Sequence, residues 1–242
     1  MARKRRYDTG CAVAHALDLV GERWALLVVR ELLLGPKRFT DLLAGLPGAG
    51  PDMLTQRLRE LTDTEVVRRR RLGPPSASWV YELTPWGAEL GPIVLGLARW
   101  ASHSPTMPYD GTLGVDSLML SLTALFDRRA AAGLDATIDI HLDDQPFRLQ
   151  INGGELTLAR GESGHPDATL ETDEAALLSL LRTDRDLDQI LADGALRLTG
   201  DRALVERFRR LFPLPQPAGS RRTHNECVRD GTLAGCHARV SG

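Results

Sequence analysis

Four consecutive arginines, Arg68 to Arg71, follow a stretch whose polar positions include Asp52, Thr55, Gln56 and Arg59. Hydroxyl, amide and guanidinium groups are the side chains that hydrogen-bond base edges, and clustered arginines neutralise phosphates. That set is suited to recognising an anionic polymer rather than to making or breaking bonds. Catalytic patterns are missing: there is no Gly-x-Ser-x-Gly elbow, phosphate loop, Gly-x-Gly-x-x-Gly run or His-Glu-x-x-His pair. His15, His103, His141 and His165 are scattered, with no carboxylate at a telling spacing. No enzymatic activity, cofactor or metal is expected. In the tail, His224, Cys227, Cys236 and His237 have a spacing that matches no compact zinc site. Cys11 stands just before a helix, where the positive end of the helix dipole lowers a thiol pKa, and Arg3 to Arg6 add positive charge. It is either a redox-sensitive thiol or a small interface residue.

The elements that must hold these residues follow from apolar spacing. Val13, Ala14, Leu17 and Val20 form a helical stripe closed by Gly21, and Trp24, Leu27, Val28, Leu32 and Leu33 form a second, stopped by Gly35-Pro36. Thr40 is the expected N-cap of a short helix through Leu42 and Leu43. Pro51 opens a helix to about Leu61. At about 100° per residue, Leu54, Leu58 and Leu61 share one face, and Asp52, Thr55, Gln56 and Arg59 lie opposite. Residues 66–72 and 79–83 read as two strands of a ribbon, and alternation sends two of the four arginines to each face. Thr84-Pro85 then starts one longer helix carrying Leu90, Val94, Leu97 and Trp100. This order of helices and ribbon is a winged helix-turn-helix layout, which sets a polar helix beside a basic wing.

The chain has 242 residues and a formal net charge of −2. That total hides an asymmetry. Residues 1–105 carry 15 Lys/Arg against 11 Asp/Glu, net +4, whereas residues 106–218 carry 11 against 19, net −8. Two domains with different partners are implied. No apolar run approaches the ~18–20 residues of a membrane span, and the basic start lacks a signal-peptide core. A cytoplasmic protein with reduced Cys11, Cys227 and Cys236 is expected, with no membrane partner.

The blocks Cys11-Ala12-Val13, Gly21-Glu22-Arg23-Trp24, Leu32 through Phe39, Leu54 through Leu61 and Tyr81 through Gly87 resemble the HxlR family of bacterial winged-helix regulators, related to the MarR type. The resemblance covers roughly residues 7–102. It implies a transcriptional regulator that forms a homodimer through its first and last helices and sets two recognition helices on double-stranded operator DNA. It also implies that in some members a cysteine at the position of Cys11 senses oxidants or electrophiles. Two positions depart from the pattern. The family's Asp/Asn-Gly turn before the wing is here Thr64-Glu65, which is strained if φ stays positive. Asp52 is acidic, and either accepts from a cytosine amino group or favours the helix N-terminus.

The second half reads as a linker over 105–114, a helix over about 115–132, and period-2 strands at 137–142, 147–151, 156–158 and 168–170. Helices follow at 173–182 and 185–193, then a strand at 195–199 and a helix through Leu211. Gly161-Glu162-Ser163, Pro166 through Leu170, Leu177 through Leu181 and Gly194 through Asp201 resemble the sterol-carrier-type, lipid-transfer fold. That resemblance implies an apolar cavity. The candidate lining residues are Phe126, Leu177, Leu181, Ile190, Phe208 and Phe212, each of which could equally be plain core.

The expected fold is α+β and multidomain: a winged helix-turn-helix over 1–104, the linker, a sterol-carrier-like domain over 115–217 with a mostly antiparallel sheet covered by helices, and a disordered tail over 218–242. Thr55, Gln56 and Arg59 would meet bases, with Asp52 beside them on the DNA-facing surface, and Arg38, Arg57, Arg69 and Arg71 would hold phosphates. A small apolar effector in the second domain would modulate operator binding, with repression relieved by ligand as the default sign. The alternatives are a thiol-based sensor using Cys11 and a lipid-carrier or protein-interaction module that does not bind DNA.

Overall fold

The computed structural model describes residues 7–74, 76–108, 113–181, 185–213 and 215. Arg3 to Arg6, the tail from 216 onward with its two cysteines, and part of the expected linker lie outside the described residues.

Helix α1 (Ala12–Val20) is followed by α2 (Ala25–Leu32), α3 (Phe39–Gly45) and α4 (Pro51–Asp63). The start of α3 corrects the expectation: its N-cap is Arg38, not Thr40. Asp41 accepts from the Arg38 backbone N–H at 3.2 Å, the reach-back half of a capping box that fixes the helix start two residues before Thr40. Pro51 occupies the first turn of α4, where a missing N–H costs nothing. Leu54, Leu58 and Leu61 are buried against Val28, Val29 and Leu42. Strands β1 (Val67–Arg71) and β2 (Trp79–Leu83) pair antiparallel as the wing.

The single helix expected after Thr84 is two. Helix α5 (Pro85–Ala88) is capped by Thr84 Oγ1, which accepts from the Gly87 N–H at 2.9 Å, and α6 (Gly91–Ala101) starts afresh. Pro92 has no N–H to give to the preceding turn, so the ladder breaks there. Gly87 must be glycine, since a Cβ would run into the Val66 carbonyl.

Helix α7 (Val115–Leu125) is shorter than expected. The chain turns extended at Phe126, and Asp127 Oδ1 accepts from the Arg129 N–H at 2.8 Å, opening a separate turn. Strands β3 (Ala136–Leu142), β4 (Gln145–Asn152), β5 (Glu155–Arg160), β6 (Ala168–Thr172) and β7 (Leu196–Gly200) form one sheet in the order β5-β4-β3-β6-β7. Gly153 and Gly154 both take positive φ, as a two-residue hairpin turn requires, and so do Asp143 and Asp144 between β3 and β4. The sheet is mixed: β3 and β6 run parallel, and the other three pairings are antiparallel. Its apolar face carries Ile138, Ile140, Phe147, Leu149, Ile151 and Leu170 and is covered by α7, α8 (Glu174–Leu181), α9 (Leu187–Ala192) and α10 (Arg202–Phe208).

The two halves touch. Helix α7 packs on α6 and α2, and Arg99 of α6 donates from Nε to the Ala124 carbonyl near the end of α7 at 2.7 Å. Leu34, at the end of α2, belongs to the core of the second half, with Leu33 and Leu95 packed beside it.

Candidate nucleic-acid interface

Helix α4 carries two opposed faces because its apolar residues recur with the helical period. Asp52, Thr55, Gln56 and Arg59 are all exposed. Thr55 Oγ1 donates to the Pro51 carbonyl at 2.8 Å, Gln56 Nε2 to Glu60 Oε1 at 3.0 Å, and Arg59 Nε lies 3.9 Å from Asp63. These are weak surface contacts that a base edge can replace.

Arg57 does not belong to this face. It is 4% exposed and pairs with Glu60 and, at 3.8 Å, with Glu22. A guanidinium held there by two carboxylates cannot reach a phosphate, which corrects the sequence reading. The signal was in the spacing: 54, 57, 58 and 61 follow the i, i+3, i+4, i+7 stripe of the buried face.

The wing divides its arginines by face. Arg68 and Arg70 both bind Glu82 of β2, at 2.7 and 2.8 Å. Glu82 is buried, and its hydrogen bond from Arg70, joined by Arg68, holds its carboxyl below the ordinary value against the opposing effect of burial. On the other face Arg69 lies over the Trp79 ring, 4.5 Å from its centroid, and near Tyr81. Among the described residues Arg71 donates only to the Ala77 carbonyl, at 3.4 Å. Arg69, Arg71 and Arg38 make no ion pair among the described residues, so these three keep the charge that phosphates require. Sequence reasoning missed Glu82 and Trp79, although alternation from the arginines across the ribbon pointed to both. Before the wing, Glu65 takes φ 59°, so the left-handed turn is kept without its glycine.

The apolar stripe of α1 has only Val20 buried, and Val13 is 69% exposed. In α6, Ile93, Leu97 and Trp100 are exposed, Trp100 by 77%. Cys11, at the N-terminus of α1, is exposed, and the backbone N–H groups of Ala14 and Val13 hold its thiol below the ordinary value.

In the second half, Phe126, Leu177, Leu181, Ile190, Phe208 and Phe212 are all buried. Phe212 packs on Phe208 with ring centroids 4.9 Å apart and on Phe126 at 6.0 Å, which is core packing. A surface pocket of about 360 Å³ lies where Phe126 meets Arg99, His103, Arg129 and Pro213. Two of its basic groups serve helix ends, Arg99 on the Ala124 carbonyl and His103 Nδ1 within 2.8 Å of the Arg99 carbonyl. Among the described residues no cluster of three His, Cys, Asp or Glu side chains could hold a metal, and no helix is long and apolar enough to cross a membrane.

Residues 19–107 match the family model described as HxlR-like helix-turn-helix. The HTH-type transcriptional regulator YodB of Bacillus subtilis is 35% identical over 88 residues, 36% of this chain and 79% of its own length. YvaP of the same bacterium is 36% identical over 88 residues, 36% of this chain and 82% of its own length. The chain belongs to the HxlR-like helix-turn-helix regulators. Members of this family bind DNA and typically act as dimers. Quinone-bound YodB has been solved, and it is 32% identical to this chain, covering 37% of this chain and 93% of its own, with a TM-score of 0.33. Residues 111–218 match a different family model, described as alkyl sulfatase C-terminal.

Proposed function

We propose that this regulator binds operator DNA as a homodimer, and that its second domain takes a small apolar effector which changes the spacing of the recognition helices. The observation that carries the DNA reading is the exposed Thr55, Gln56 and Arg59 beside the unpaired Arg69 and Arg71. Thr55, Gln56, Arg59 and Asp52 meet bases, and Arg38, Arg69 and Arg71 hold phosphates. The exposed apolar faces of α1 and α6 support dimerisation, since uncovered patches of that kind mark interfaces. The effector reading rests on the resemblance of the second half to a lipid-carrying fold, and its sterol-carrier-like character is part of the proposal. In this reading the domains span 1–104 and 115–217 about a linker, the protein works in the cytoplasm as a repressor, and the second domain senses rather than catalyses. An effector shifts the operator equilibrium only by its differential affinity for the two states.

The test is a titration of the full chain against DNA from its own upstream region over a range of salt. A steep fall of log affinity with log salt is expected, and a flat dependence would remove the DNA reading. Native mass spectrometry then tests the effector. A dimer carrying a small apolar molecule supports it, and a dimer that stays empty when offered alkyl-chain ligands counts against it.

A second reading is favoured by Cys11, an exposed thiol with a lowered pKa at a helix N-terminus. It makes Cys11 the switch and leaves the second domain structural. Diamide should then weaken DNA binding in the wild type and leave Cys11→Ser unaffected. Equal affinities in both would end the idea.

A further inference from the structure

Lys37 stands where the wing, α2 and the second domain meet. Its backbone pairs with β2: the Tyr81 N–H donates to the Lys37 carbonyl at 2.8 Å, and the Lys37 N–H to the Tyr81 carbonyl at 3.0 Å. Residue 37 is therefore the root of the wing. Its ammonium lies between two carboxylates, Glu31 of α2 and, at 2.7 Å, Asp116 of α7. Glu31 is 2% exposed and Asp116 4%. Each carboxylate holds a second cation, Arg30 on Glu31 at 2.8 Å and Arg160 of β5 on Asp116. Gly45 leaves room for this arrangement, because a Cβ there would strike the Glu31 carboxylate.

The signs alternate along Arg30, Glu31, Lys37, Asp116 and Arg160, and the chain of charges passes between domains at the Lys37–Asp116 contact. A buried charge is costly unless paired, so losing one member leaves its neighbours unpaired in a low dielectric. Such a chain adds little net stability compared with apolar packing, but it penalises every arrangement that separates its members. The member it holds most directly is the residue to which β2 is hydrogen-bonded.

We propose that Asp116 is a positioning residue for DNA binding: acting through Lys37, it fixes the root of the wing, so the pose of the second domain sets the pose of the wing arginines. Asp116 touches no DNA in this arrangement. Arg38 follows Lys37 directly in the chain, and Arg69 lies opposite Tyr81 on the paired strand, so both inherit the placement of Lys37. The proposal rests on the DNA-binding reading above, but one of its readouts does not.

The experiment compares the full chain with Asp116→Asn, Asp116→Glu and Asp139→Asn. Asp139 is the control: a buried carboxylate of the second domain that accepts from Ser163 and, among the described residues, makes no hydrogen bond or ion pair with the wing. Amide hydrogen exchange is read at Tyr81 and Lys37, and affinity for upstream DNA is measured at fixed salt. In Asp116→Asn, exchange at these two amides should rise about tenfold and the Kd several-fold, with Asp116→Glu restoring most of both. Asp139→Asn should do neither, even where it lowers the melting temperature. Unchanged exchange at Tyr81 and Lys37 overturns the link. Faster exchange with unchanged DNA affinity overturns the positioning role, as does an equal effect from Asp139→Asn. A wild-type chain that binds no DNA, with exchange still altered at the wing root, removes the DNA reading and upholds the mechanical link.

Discussion

The winged-helix half and the sheet-containing half treat their apolar surface in opposite ways, while each leaves some of its arginines without an acid among the described residues. In the second half ion pairs join Arg128 with Glu155, Arg185 with Asp193, Arg197 with Glu171, Arg202 with Asp188 and Arg209 with Glu206, while Arg129, Arg148, Arg207 and Arg210 make none among the described residues. Its apolar strand residues are buried or, at Leu156, Leu158 and Leu198, half-buried, and its largest aromatic residues pack on one another or beneath the sheet. In the first half, Arg38, Arg69 and Arg71 make no ion pair among the described residues, and Val13, Leu17, Ile93, Leu97 and Trp100 are left in solvent. A region whose apolar side chains answer each other is complete as it stands. A region that leaves them unmet is completed by something else: in the proposed reading an apolar surface covers α1 and α6, and phosphates meet the arginines gathered on the wing.

The sharpest way to break this contrast is to delete a large side chain from each half. Phe147→Ala, in the core beneath the sheet, should cost about 3–5 kcal/mol in a urea melt followed by a probe in the second half. Trp100→Ala should barely change the melt of a dilute monomer but weaken the dimer by about 2 kcal/mol, read by sedimentation. A comparable loss of monomer stability would mean that α6 is part of a finished surface after all.

Base-reading positions come next in size. Gln56→Ala and Arg59→Ala should each cost about 1–3 kcal/mol at one base position, measured against a panel of single-base operator variants. Uniform weakening across the panel would move these residues to the phosphates. Smaller again is the salt effect: Arg69→Ala should reduce the slope of log affinity against log salt by about one, and Arg68→Ala by less, because Glu82 already neutralises it. Equal slopes would erase the division of the wing into a paired and an unpaired face.

The smallest effect is a pH dependence. Glu82 has its pKa lowered in the folded chain by Arg70 and Arg68, so it binds protons less readily folded than unfolded. Its contribution is fully present above the unfolded value of about 4.3 and is lost as pH falls through the lower folded value. Amide exchange in the wing should rise over that acid range in the wild type, and Glu82→Gln should remove the pH-dependent part.

Periodicity made the first half legible. The opposed faces of α4, the wing strands and the Thr84 cap follow from local spacing, and even the left-handed Glu65 could be anticipated from a turn lacking its glycine. What failed was set by partners far along the chain or by donors that spacing does not record. Pro92 splits a helix whose apolar stripe runs on, and Asp127 ends α7 by capping a turn of its own, whereas the buried Arg57 was legible in its place on the Leu54–Leu58–Leu61 stripe. In the second half, alternation separated the two faces of the sheet but not their exposure: Asp139, opposite the apolar face of β3, is buried and accepts from Ser163. Alternation could not reveal that β3 and β6 run parallel, because direction is not written in a period of two. Nor could it separate a filled core from a hollow one at Phe208 or Ile190. The Lys37–Asp116 contact leaves no local trace, since each residue alone reads as an ordinary surface charge.

Leu34 lies at the end of α2, yet its side chain belongs to the core beneath the sheet. The boundary drawn along the chain is therefore not the boundary of the packing. A winged helix produced alone would carry Leu34 bare, with Leu33 and Leu95 beside it, and the remaining half would miss an apolar group on the matching surface. Each fragment would be stickier than the whole, and the two would tend to recombine when mixed. In this chain a lesion at the end of α2 is also a lesion of the second domain, and mutations mapped to one half need not have their consequences there.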